Sequence, residues 1–118
     1  MPFNREGILT NINEKACQTY ECDRQELIDE RISYHDMFDI ELPMEELDGF
    51  YFTQVIDIDK IAEKERKLKA CKRKGRLLHE VHLMTVYEED GQLMGMFAVG
   101  RDMTDRMNAT NQQIHPVL

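Results

Sequence analysis

The chain has 118 residues, a formal charge of −8 and 42% hydrophobic residues. That length fits one domain with a core of its own and leaves no room for a second. The acidic balance argues against a nucleic acid or an anionic membrane surface as main partner, and no apolar run approaches the roughly 20 residues of a membrane span.

The N-terminus lacks the apolar core of a signal peptide. Cys17, Cys22 and Cys71 fit neither an even disulfide framework nor a metal or redox spacing. A cytoplasmic domain with reduced thiols is the expectation. Charge is unevenly spread: Lys60 to Arg76 holds nine of the fifteen basic residues, whereas Glu21 to Asp59 holds thirteen acidic residues against two arginines. Such asymmetry fits two faces that attract each other, within a chain or across a dimer, or two solvated edges, the reading favoured because exposed ion pairs contribute little.

In chain order, Met1 to Phe3 is short for a strand, and Asn4-Arg5-Glu6-Gly7 reads as a hairpin turn. Ile8 to Asn13, ILTNIN, alternates weakly and is expected to be a short strand. Asn13 caps a helix whose apolar side is Ala16, Cys17 and Tyr20. Asp23 caps the next, with Glu26 placed for a capping box over Leu27 and Ile28. Ile32 to Phe38 reads as a further helical turn that buries Ile32, Met37 and Phe38. Pro43 limits the acidic stretch after it to one short helix over Met44 to Leu47. Phe50 to Ile58 is compatible with a strand or a buried loop, and the pattern from Ile58 to Ala70 does not settle where helix gives way to strand.

From Arg76 the pattern clears. Leu77, His79, Val81, Leu83 and Thr85 share one face of a strand, and the less charged composition assigns that face to the core. Glu89-Asp90-Gly91 is a turn. Leu93 to Val99 is apolar on both faces, as in a central strand covered twice. Alternation places Met94, Met96 and Ala98 on one side and Leu93, Phe97 and Val99 on the other. Asp102 or Thr104 then starts a helix, and the polar residues after Arg106 read as a linker.

This order and its residues resemble a PAS domain with its C-terminal PAC portion. Glu6-Gly7-Ile8-Leu9 followed by Asn13 and Ala16 is similar to the family's D-x-G-x-I…N-x-x-A. Gln25-Glu26-Leu27-Ile28-Asp29 is similar to E-E-L-I-G, with Asp29 in place of the usual glycine. Gly75 and Gly91 stand at the family's two glycine turns, and Gly95…Asp102-Met103-Thr104-Asp105-Arg106 resembles G…D-I-T-E-R. The resemblance implies an α+β domain over residues 1–107: a five-stranded antiparallel sheet with short helices packed on one face. It places an insertion around residues 50–59 and a linker or connecting helix over residues 108–118.

The resemblance further implies a sensory or signal-relay domain of a larger regulatory protein, such as a histidine kinase, cyclase or transcription regulator. The ligand side would be lined by Ile12, His79, Val81, Leu83, Met96, Ala98 and Gly100. Asp102, Thr104 and Arg106 would lock the last strand to the outgoing helix, with Thr104 as cap and Asp102 paired to Arg106. Leu93, Phe97 and Val99 would bury against a second copy, making a homodimer. A ligand-free dimerisation or interaction module is the alternative.

Candidate chemistry is sparse. His79 and His82 are three apart on a strand and face opposite ways, so they do not share a metal ion. No nucleophile stands beside a base and no glycine loop cradles a phosphate, so no enzyme is expected. Lys72-Arg73-Lys74 lacks interleaved aromatic residues for nucleic acid and reads as a solvated edge. No tightly bound cofactor is expected. Haem would have to use His35, with Met37 or Met44 as second ligand, although methionines more often fill cores. Flavin is disfavoured because the cysteines stand in nothing like the light-sensing N-C-R-F-L stretch and tryptophan is absent. A small-molecule ligand and an output domain in the same protein are the expected partners.

Overall fold

The computed structural model describes residues 1–65 and 68–105, without the side chains of residues 62, 64 and 65. Arg106, the Asp102–Arg106 pair and the expected linker over residues 108–118 lie outside the described residues. In order come β1 (Pro2–Phe3), α1 (Glu14–Tyr20), α2 (Arg24–Asp29), α3 (Tyr34–Phe38), a 3-10 turn (Met44–Glu46), β2 (Tyr51–Asp57), α4 (Ile58–Glu65), β3 (Arg76–Tyr87) and β4 (Leu93–Asp102). The strands form one antiparallel sheet in the order β1-β4-β3-β2.

Short helices need their ends satisfied, and each of the first three is capped by its own sequence. Asn13 accepts the Ala16 N–H at 2.8 Å, Asp23 that of Glu26 at 3.1 Å, and Ser33 that of Asp36 at 3.2 Å. Each such cap stabilises by about 1 kcal/mol. Left-handed residues end two of them: Glu21 after α1 and Asp39 after α3. The apolar residues these helices present, among them Tyr20, Leu27, Met37 and Phe38, join one core with Leu77, Val81, Leu83, Met96 and Ala98 of the sheet. Burying each large aliphatic side chain contributes about 1.5–3 kcal/mol. Phe3 meets Phe38 and Tyr34 edge-on at 5.9 and 6.3 Å, which ties β1 to α3.

Among the described residues the sheet has four strands where five were expected. Ile8 to Asn13 makes only isolated bridges, Phe3 with Leu9 and Ile8 with Ser33. Its backbone bonds are divided: Leu9 N–H donates to Ile32 O and Thr10 N–H to Pro2 O. One bridged residue on each side is too short a contact to count as a ladder. Residues 50–59, expected to hold an insertion, form β2 along the sheet edge and the first turn of α4; the long connection follows, up to Gly75.

A second correction concerns the start of β4. The register slips by one residue between Val86 and Tyr87, so that Gly95 faces Val86 while Leu93 faces Tyr87. This bulge turns Met94 out to solvent and brings Leu93 against the core, the reverse of what plain alternation gives. From Gly95 on, alternation holds: Met96 and Ala98 are buried, and Phe97 and Val99 exposed.

Candidate functional site

β1 reaches only Phe97 and Met96 of β4, and the Met1 carbonyl accepts the Ala98 N–H at 2.9 Å. Beyond Ala98, β4 is flanked among the described residues by β3 alone. A cleft of about 590 Å³ opens there between β4 and α1, with Ile12, Ala16, Tyr20, His79, Ala98 and Gly100 in its lining. Lys15, Arg24, Arg101 and Asp102 also border it. The Arg24 side chain is fixed by donating Nε–H to Ile12 O at 2.8 Å.

Tyr20 and His79 both line this cleft, and the Tyr20 hydroxyl and His79 Nδ1 are buried without a hydrogen-bond partner among the described residues. Their rings meet edge-on with centroids 5.7 Å apart. Burial is the main cause that pushes the Tyr20 phenol up, helped by Cys71 and Cys22. Burial likewise pulls His79 below the ordinary histidine range, against the opposing pull of Asp102. The site thus offers a neutral phenol and a neutral imidazole, each able to donate or accept a hydrogen bond. An orphaned buried polar group costs about 1–3 kcal/mol, which a polar group of a ligand would offset.

A polar junction stands next to this floor, because His79 faces Asp102 directly across β3 and β4. Asp102 Oδ1 accepts the Thr104 N–H at 3.0 Å and the Thr104 hydroxyl at 2.5 Å, while Oδ2 receives Arg73 Nη1 at 3.0 Å. Thr104 Oγ1 accepts the Leu78 N–H at 3.2 Å, and Met103 N–H donates to Leu78 O at 2.7 Å. Arg73 also donates to Thr19 O at 3.0 Å, so one guanidinium joins the end of α1 to the exit of β4. Burial would raise the Asp102 carboxyl, but the bonds from Thr104 and Arg73 prevail and hold it below its usual value.

Arg73 was missed by sequence reasoning, which treated Lys72-Arg73-Lys74 as one solvated run. Nothing local separates it from the lysines beside it; its planar fork suits a carboxylate and a carbonyl together, which an ammonium does not. The other expected site residues divide into three groups. Ile12, His79, Ala98 and Gly100 line the cleft, whereas Val81, Leu83 and Met96 are packed in the core and do not. Phe97 and Val99 lie on the exposed sheet face, and Leu93 does not accompany them. Among the junction residues, Asp102 and Thr104 are brought together.

The residues considered for haem do not form a site for it. His35 is exposed, stacks on Tyr34 at 4.0 Å and engages Ile40 O through Nδ1, while Met37 and Met44 are buried in the core. His82 is exposed beside Tyr51 and does not converge with His79. Among the described residues no group of three or more ligating side chains is placed to hold a metal ion, and no helix is long and apolar enough to cross a membrane. The chain is an α+β domain built on a four-stranded antiparallel sheet with a few short helices. No family model matches it, and no curated protein or solved structure is significantly similar.

Proposed function

We propose that the chain is a PAS-like, non-catalytic sensory or relay domain of a larger regulatory protein such as a histidine kinase, cyclase or transcription regulator. In this reading a small molecule in the cleft bonds Tyr20 and His79, and its presence is passed to the residues that leave β4. The observation that carries it is the direct pairing of His79 with Asp102, which joins the cleft floor to the Arg73–Thr104 junction. A ligand biases such a junction only by its different affinity for two arrangements of it. Further support comes from the Phe3–Leu9 bridge, which puts Leu9 beside β1 on the edge where a fifth strand would lie.

The test is to purify the protein natively, measure its intact mass and visible absorbance, and add back whatever is released on denaturation. A released compound that rebinds and slows amide exchange at Thr104 supports the reading. A protein that carries no compound, binds none from a metabolite library and keeps the same Thr104 exchange throughout sinks it.

The second reading, a ligand-free dimerisation module, is favoured by the sheet face opposite the core. There Phe97 and Val99 are exposed on β4, and Tyr51 and Val55 on β2. Self-association without any bound compound is its mark.

A further inference from the structure

All three cysteines of the chain converge on one point, although their spacing along the sequence does not announce it. The Cys22 thiol lies within electrostatic reach of both Cys17 and Cys71. Two backbone bonds bring the distant partner in: Lys72 N–H donates to Glu21 O at 3.0 Å, and Arg73 N–H to Tyr20 O at 3.4 Å. Lys72 and Glu21 are the chain neighbours of Cys71 and Cys22, so the first of these bonds brings the two cysteines side by side. Cys17 is drawn into the turn that closes α1, where its carbonyl accepts the Cys22 N–H at 3.0 Å. All three residues are half-buried, so a small oxidant can reach them.

We propose that Cys22 and Cys71 are a modification site: a thiol pair that closes to an intramolecular disulfide under a hydroperoxide and pins the segment carrying Arg73 to the end of α1. The Cys22 sulfur attacks one peroxide oxygen, the O–O bond breaks, and a sulfenic acid forms with release of an alcohol or water. The Cys71 sulfur then attacks the sulfenic sulfur, the S–S bond forms, and water leaves. Two thiols and one hydroperoxide become one disulfide, one alcohol (or water) and one water. The two electrons lost by the sulfurs reduce the peroxide, and the two thiol protons end in the departing molecules.

The surroundings set the pace. Burial, then Cys17, pushes the Cys22 thiol up to about 11, with Asp23 adding to it. Burial, then Cys22 and Glu30, pushes Cys71 higher still, and the neutral Tyr20 phenol packs beside both. Both thiols are therefore protonated at neutral pH and react slowly, so the pair answers a sustained oxidant rather than a brief pulse. Closure would hold Arg73 on Asp102 and Thr104, a consequence that rests on the relay reading above.

The experiment uses the full chain treated with hydrogen peroxide, then alkylated and mapped by mass spectrometry without reduction. The expected result is a linked Cys22–Cys71 peptide, loss of two of the three alkylatable thiols, Cys17 still alkylated, and full reversal by dithiothreitol. Cys17→Ser should keep the link. A Cys17–Cys22 link, a link between two chains, or Cys22 ending as sulfinic acid with Cys71 still alkylatable would overturn the proposal. Amide exchange at Thr104 separates the two ideas: slower exchange in the linked form supports both, and unchanged exchange sinks the relay while leaving the disulfide standing.

Discussion

Arg73 and Asp102 form an ion pair at 3.0 Å, with side chains 22% and 31% exposed, and through it the long connection before β3 is fastened to the exit of β4. The partial exposure limits its worth. A double-mutant cycle of Arg73→Ala and Asp102→Asn should give a coupling of about 0.5–1 kcal/mol. Arg73→Ala alone should cost more, about 1–2 kcal/mol, because Thr19 O and Thr104 Oγ1 lose a donor as well. Equilibrium urea unfolding measures both quantities, and a coupling of zero would show that the pair does not fasten the two segments.

His79 and Asp102 should give stability a two-stage dependence on pH. Burial lowers the folded His79 from its ordinary 6.5, with Asp102 opposing and Arg73 assisting. The unfolded chain then binds a proton where the folded one does not. The folded state is favoured above 6.5 and loses stability as pH falls from there toward the folded value, by up to about 1.4 kcal/mol per pH unit. Asp102 is depressed below 3.8 despite its burial, through Thr104 and Arg73. Its contribution is complete above 3.8 and is lost as pH falls through the lower folded value. His79→Gln should remove the upper stage and Asp102→Asn the lower one in unfolding curves recorded from about pH 8 to pH 3. An upper stage that survives in His79→Gln would assign it to another group.

How much of this was legible follows the range of the interactions. Asn13, Asp23 and the turn at Gly91 act within a few residues, and local pattern identified them. The alternation along β3 likewise separated His79, Val81 and Leu83 from the other face. Leu93 and Met94 were misplaced because a bulge depends on the strand opposite, and Val86 carries no mark of it. Ile8 to Asn13 alternates like a strand, yet its bonds are shared between Pro2 and Ile32, which only the folded chain brings near. Arg73 and Cys71 share that difficulty. Their partners lie far away in sequence, and the basic run around them looks like ordinary solvated surface.

Gly95 should tolerate nothing larger. A Cβ built there would stand 2.3 Å from the Phe3 carbonyl oxygen, a backbone atom held by the pairing of β1 with β4. Gly95→Ala must push β1 away, at a cost of about 1–3 kcal/mol. Gly91 offers the contrast. Its φ is +87° but nothing lies within 4 Å of a Cβ, so Gly91→Ala should cost about 1 kcal/mol of backbone strain alone. Thermal unfolding of the two variants tests the ranking, and a milder effect at Gly95 would mean that β1 is not seated as described.

Phe97 decides between a face that meets solvent and one that meets a second copy. It is 41% exposed, Val99 beside it on β4 is 51% exposed, and Tyr51 lies across the sheet in register with His82 and Val99. These exposed apolar residues on β2 and β4 flank the polar His82 and Glu80 of β3, and a stable dimer needs about 800 Å² from each partner. Sedimentation equilibrium should show a mass that rises toward twice the chain mass with concentration. Phe97→Glu should hold the protein at one chain with its unfolding midpoint little changed, because the side chain gives up no core contact. Wild-type protein that stays a single chain at high concentration, with or without a bound compound, would leave this face to solvent and remove the ground for the dimerisation module.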